Sequence, residues 1–306
     1  MTNKENVLHA LRHDGKAEWV ANFNDSVVFF PPKKDRDKVK EGLDWFGVQW
    51  KDNTPLNIPL FEDVSEWKEH VVFPDLDAID WQEEADEVLP TLDRENKALW
   101  LGLSQGLFDR LQSLMGFEAG ITSFYDDPEA THELLDALTD FRIRLMEKLI
   151  DCYDPDIVDY RDDFGTQTGL FFSPAIYDEF FKPRIKRIGE YIHSRGKIFV
   201  QHSCGKVDQL IDRFVEVGAD TWDSVQPCCD LPAIFAQFGD RIGFASSMDL
   251  QKFDTCTEEE AREIVRFYID TLGGHRNLLL WDQYPMEIKL DAAVLTDEIK
   301  RYGIYR

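Results

Sequence analysis

His202-Ser203-Cys204 concentrates more chemistry than any other tripeptide of this sequence. On an extended backbone, residues i and i+2 point to the same side, so the imidazole and the thiolate can hold one metal ion between them. Both are borderline-soft donors that suit zinc. As a purely structural pair they would be a buried thiol beside a hydrogen-bonded histidine; their place at a strand end, with Gly205 next, favours the metal reading. A catalytic zinc ion takes three protein ligands and keeps one position open. Cys228 or Cys229, beyond the next strand, and Asp282, closing the last one, are the candidates for the third. Asp162-Asp163, followed by Phe164-Gly165-Thr166-Gln167, forms a second cluster. One of its carboxylates faces inward, to orient a ligand histidine or bind a substrate cation. Asp163 and Gln167 are the candidate catalytic residues, and capping of a following turn is the structural alternative for the aspartates.

These residues need a scaffold that brings strand ends together. From Leu99 onward, strands and helices alternate strictly. Strands are expected at Leu99–Leu103, Ile157–Asp163, Lys197–His202, Ala219–Val225, Arg241–Ser246 and Asn277–Asp282. Between them lie helices near Asp127–Asp151, Ser173–Arg195, Val207–Val217, Leu231–Phe238, Glu258–Leu272 and Asp291–Tyr302. Asp127-Pro128 supplies an N-cap and a first-turn proline, and Leu134, Leu138, Phe141, Leu145 and Leu149 recur at helical spacing. Alternation of this kind predicts a parallel sheet with helices outside. Adding Trp19–Asn24 and an extended piece at Trp45–Trp50 gives about eight strands, which fits a (β/α)₈ TIM barrel with an irregular extension over residues 26 to 95. No Gly-rich dinucleotide turn follows an early strand, which argues against a doubly wound sheet. The whole chain, 1–306, reads as one domain. Trp45, Phe46, Trp50 and Trp81 read as core, with an aromatic lid as the alternative.

The charge narrows the partners. Lys plus Arg is 34 and Asp plus Glu is 59, a formal net charge of −25. Such a chain has little to offer a phosphate backbone or an anionic membrane. Its 43% hydrophobic and 13% aromatic residues exclude an acidic disordered chain. The polar N-terminal stretch lacks a signal core, and five scattered cysteines do not form a disulfide framework. A reducing cytoplasm is the expected compartment.

Three central segments carry a resemblance: DDFGTQTGLFFSPAIYDEFFKPRIKRI (Asp162–Ile188), GKIFVQHSCGKV (Gly196–Val207) and GADTWDSVQP (Gly218–Pro227). With ENVLHALRHDGKAEWV (Glu5–Val20) and DWFGVQW (Asp44–Trp50), they resemble the uroporphyrinogen decarboxylase superfamily. The closer likeness is to its zinc-dependent methyltransferase branch, which works with corrinoid proteins and includes O-demethylase components. The resemblance implies a (β/α)₈ barrel. It also implies zinc held by His202 and Cys204, and a methyl group moved between a small-molecule donor or acceptor and a corrinoid carried by a partner protein. The branch has a further Cys near the last strand, where this chain offers Asp282 in NLLLWDQYP. Asp282 or the Cys228 region then supplies the third ligand, or the zinc site is altered. Metal-free decarboxylation is the runner-up, although residues 15 to 35 contain no Arg to hold a tetrapyrrole. A non-catalytic corrinoid-binding module is a further alternative.

Overall fold

The computed structural model describes residues 1–30, 37–282 and 288–305. Among them, eight parallel strands form the central sheet. These are β1 (Ala21–Asn22), β2 (Ser26–Phe29), β3 (Ala98–Leu103), β4 (Ile157–Arg161), β5 (Ile198–His202), β6 (Thr221–Asp223), β7 (Gly243–Ser246) and β8 (Leu278–Leu280). Their order in space is β1-β8-β7-β6-β5-β4-β3-β2. Parallel neighbours need crossovers, and here these are the outer helices, so the fold is the expected (β/α)₈ barrel.

The two ends of the sheet are consecutive in the chain. β1 pairs with β8 and β2 with β3, while a single turn, Phe23–Asp25, joins β1 to β2 without a ladder between them. Side chains bridge the gap. The Asn24 N–H donates to Asp282 Oδ1 at 3.1 Å, and Lys97 Nζ donates to Asn24 Oδ1 at 3.2 Å.

One expected barrel strand is corrected. The piece near Val48 lies in a separate antiparallel sheet of Glu41–Leu43, Gln49–Lys51 and Thr54–Pro55. Its backbone is extended, but its apolar residues pack outward from the barrel: Phe46 meets Phe73 and Phe141 edge-on. The remaining barrel strand is instead Ser26–Phe29, inside the stretch expected to be irregular. Phe46, Trp50 and Trp81 are buried and Trp45 half-buried, so these aromatics are core.

Side-chain parity sorts two apolar layers. Ile157, Ile198, Val200, Ala245 and Leu279 fill the lumen, whereas Val158, Tyr160, Phe199, Trp222 and Phe244 face the helices. Helix α1 (Asn3–Leu11) plugs the N-terminal end of the barrel with Val7, Ala10 and Leu11, and Thr221 Oγ1 donates to the Leu11 carbonyl at 2.7 Å. The outer helices are α2 (Leu107–Met115), α3 (Pro128–Tyr153), α4 (Lys182–Ser194), α5 (Ile211–Glu216), α6 (Leu231–Phe238), α7 (Glu258–Leu272) and α8 (Ala292–Tyr302). Further helical segments, Phe117–Asp126 and Trp81–Val88 among them, lie outside this set. α3 begins as its sequence dictates, with the Asp127 carboxylate accepting from the Ala130 N–H at 3.0 Å. None of the described helices is long and apolar enough to cross a membrane.

Buried charge ties these parts together. Arg110 on α2 is fully buried and donates to Asp44 Oδ2 at 2.6 Å and to Asp37 Oδ1 at 3.1 Å. Arg142 on α3 also donates to Asp37 and to the Gln105 carbonyl. This network clamps the antiparallel sheet to α2, α3 and the loop after β3. Elsewhere Glu298 on α8 is buried, which would raise its pKa, but Arg266, Arg301 and Arg262 outweigh burial and hold it at about 2.

Candidate metal and active site

Strand register sets the site. Arg161, His202 and Asp223 stand opposite one another on β4, β5 and β6. In a parallel ladder such partners face the same way, so three polar side chains enter the lumen at one level near the strands' C-terminal ends. Asp159 lies two residues before Arg161 on β4 and is fully buried.

His202 is the hub. Its Nδ1 lies 2.6 Å from Asp223 Oδ2. Its Nε2 lies 3.4 Å from Cys204 Sγ, 3.6 Å from Asp163 Oδ1 and 3.2 Å from Arg161 Nη2. The second guanidinium nitrogen, Nη1, donates to Asp159 Oδ2 at 2.8 Å. Burial and Arg161 press the imidazole towards neutrality, yet the Cys204 sulfur and Asp223 outweigh them and hold its pKa well above 6.5. The ligand atoms of Asp163, His202 and Cys204 all lie within 4.8 Å of one another. Asp159, His202 and Asp223 form a second such group, entirely buried.

Two loops hold the cluster in shape. The Cys204 N–H donates to Asp163 Oδ1 at 2.7 Å, and the Phe164 N–H donates to Ser203 Oγ at 3.0 Å. Gly205 makes this approach possible. Its φ is +86°, and a Cβ there would lie 2.5 Å from the Gly165 carbonyl, so only glycine lets the β5 loop reach the β4 loop. Gln226 Oε1 accepts from the Gly205 N–H at 3.2 Å and from Gln167 Nε2 at 3.3 Å, adding the β6 loop.

Asp162 and Asp163 diverge as expected, with different tasks. Asp162 is buried and caps α2, its carboxyl accepting from the Phe108 N–H at 3.1 Å and the Asp109 N–H at 3.0 Å. Burial raises its pKa to about 7 against the lowering effect of those bonds. An unfolded aspartate ionises near 3.8, so between there and about 7 the folded chain binds more protons than the unfolded one. Unfolding free energy from this group therefore falls as pH rises through that window. Asp162→Asn is expected to flatten that slope, by up to about 1.4 kcal/mol per pH unit, in urea denaturation followed from about pH 4.5 to 7.5. A slope identical to wild type would remove Asp162 as its source. Half-buried Asp109, on α2, is also pushed well above 3.8, first by burial and then by the charges of Asp162 and Asp163.

The structure brings Asp163, His202 and Cys204 together and leaves two expected ligands outside. Asp282 is buried at the β1–β2 gap, where the Asn24 N–H and Thr296 Oγ1 (2.7 Å) satisfy its carboxylate. Cys228 is half-buried, its thiol 4.0 Å from Gln226 Oε1, and burial raises its pKa. Cys229 points its thiol at the Gly205 carbonyl, 3.4 Å away, and burial raises its pKa too. Neither Cys228 nor Asp282 joins a candidate ligand group among the described residues, and the third member of the group with His202 and Cys204 is Asp163. Gln283, which the sequence sets just after Asp282, lies outside the described residues. Arg161, Asp223, Asp159 and Asp109 were not expected in the cluster. The first three carried a readable signal, being charged residues at inward positions of buried strands, whereas nothing marked Asp109.

A protein-family model, Uroporphyrinogen decarboxylase (URO-D), matches residues 60–277. The chain belongs to the uroporphyrinogen decarboxylase family. The match runs from the segment before β3 to the start of β8 and so includes every residue of the His202 cluster. Among solved structures, a methyltransferase from Methanosarcina mazei superimposes with a TM-score of 0.74 at 12% identity, covering 99% of this chain and 99% of that one. At that identity the likeness is one of fold. The catalytic domain of a Bacillus sp. JAMB-750 GH26 endo-beta-1,4-mannanase aligns at a TM-score of 0.43 and 12% identity over 98% of this chain and 90% of that one, too loosely to carry an argument. No curated protein matches the chain.

Proposed function

We propose that this member of the uroporphyrinogen decarboxylase family is a zinc-dependent methyltransferase, moving a methyl group between a small-molecule donor or acceptor and a corrinoid protein. The observation that carries the reading is the convergence of Asp163, His202 and Cys204 at the barrel mouth. One oxygen, one imidazole nitrogen and one thiolate fit zinc and leave a position open for substrate. Bound there, zinc supplies a Lewis acid that lowers the pKa of a substrate heteroatom or polarises its bond to methyl. The chain's own residues do the rest. Asp223 holds the imidazole by Nδ1 and turns Nε2 towards Cys204. Asp163 fixes the Cys204 backbone and faces the same nitrogen. Gln167, exposed beside Gln226, is placed to contact substrate at the rim. The corrinoid belongs to a partner docked over the strand ends. The five cysteines are free thiols, which suits a reducing cytoplasm.

A second reading, metal-free decarboxylation in the manner of the family's namesake, draws on Asp109 and Arg161. Burial holds the Asp109 carboxyl well above its ordinary pKa, and Arg161 is a cation able to take a substrate carboxylate. Metal analysis with a methylcobalamin assay separates the two. Stoichiometric zinc, with zinc-dependent loss of the methylcobalamin spectrum in the presence of a small thiol acceptor, supports methyl transfer. A chain that holds no zinc and leaves methylcobalamin intact sinks it.

A further inference from the structure

A metal ion on His202 would need the lone pair of Nε2, and another cation already stands beside that atom. Nε2 faces Cys204 and Asp163, yet Arg161 Nη2 lies 3.2 Å from it. A guanidinium and a metal ion cannot share that nitrogen. Arg161 is anchored through Nη1 to Asp159 Oδ2, so the planar guanidinium can pivot as a unit about that ion pair. An alternative seat stands ready: Asp223 Oδ1 is buried and has no hydrogen-bond partner, while Asp223 Oδ2 is taken by His202 Nδ1. Arg161, His202 and Asp223 stand opposite one another on adjacent strands, so both seats lie at one level of the lumen.

We propose that Arg161 is a resident cation of the metal site: it covers His202 Nε2 in the metal-free chain and swings to Asp223 Oδ1 when a metal ion takes that nitrogen. This rests on the zinc reading above and adds a selectivity device to it. An incoming ion must outcompete a guanidinium, which thiolate- and imidazole-seeking ions can do and hard, oxygen-seeking ions such as magnesium cannot. Arg161 is thus a positioning residue, acting through His202.

The test is zinc affinity of the full-length metal-free chain, measured by competition with a chromophoric chelator, a readout independent of turnover. Arg161→Met removes the competitor and is expected to tighten zinc by about tenfold or more. Arg161→Lys keeps a cation for buried Asp159, but its nitrogen ends one bond short of the position of Nη2, so His202 Nε2 is released and zinc is again expected to tighten. Should Arg161→Met fail to fold, the lysine variant decides alone. Zinc bound through His202 with equal or lower affinity in the variants overturns this inference and leaves the zinc reading standing. Absence of His202-dependent zinc in wild type and variants alike overturns both.

Discussion

Replacing His202 by Ala is expected to reduce zinc affinity by more than about 100-fold, because partners one shell further out already account for about 10–100-fold. The variant removes Nε2, which faces both other donors, and frees Asp223 from its partner. Asp223→Asn should fall in the lower range, since the imidazole stays but loses the carboxylate that orients it. Chelator competition measures both, and methylcobalamin turnover should fall with the metal. Two controls make the result specific. Cys228→Ser and Asp282→Asn should leave zinc affinity unchanged, since neither side chain joins the ligand group. Full metal content in His202→Ala, or its loss in Cys228→Ser, would move the site elsewhere.

The largest stability effect is expected at Arg110. Arg110→Met leaves Asp44 buried without its cation and cuts the link to Asp37. Breaking a buried pair from one side typically costs about 3–5 kcal/mol. For a large domain that corresponds to roughly 2–4 °C of Tm per kcal/mol, so calorimetry should show a drop of about 10 °C. The exposed pair Arg187–Asp140 is the comparison, and its removal should cost less than about 1 kcal/mol. Equal effects at the two sites would show that the Asp37–Asp44–Arg110–Arg142 network contributes little.

The barrel was legible wherever local signals agreed. Asp127-Pro128 marked the start of α3, and apolar runs bounded by charged ends marked β3, β4 and β5. The failure came where strands are short. Ser26–Phe29 runs into Pro31-Pro32 and lacks a helix before it, so it read as loop, while Trp45–Trp50 had the right extended backbone and the wrong neighbours. At the site, His202 and Cys204 were legible because i and i+2 share a face on one strand. The third member of the candidate group was not, because it depends on loop contact: Gly205 against Gly165 brings Asp163 to the Cys204 N–H. Chain proximity to a strand end pointed equally to Asp282 and Cys228, and only three-dimensional hydrogen bonding separates them from Asp163.

The missing ladder between β1 and β2 gives the barrel a seam. Widening the lumen at any other junction breaks a backbone ladder; here, among the described residues, the ties are side-chain ones, Asn24 to Asp282 and Lys97 and Phe23 against Trp100 and Trp281. In the circular order of strands, the junction diametrically across from the seam is the one between β5 and β6, which carry His202 and Asp223. The wall that must stay rigid to hold an ion is therefore the one least disturbed when the opposite side dilates. Asp282, a ligand candidate on sequence, instead serves as a clasp on that expansion joint.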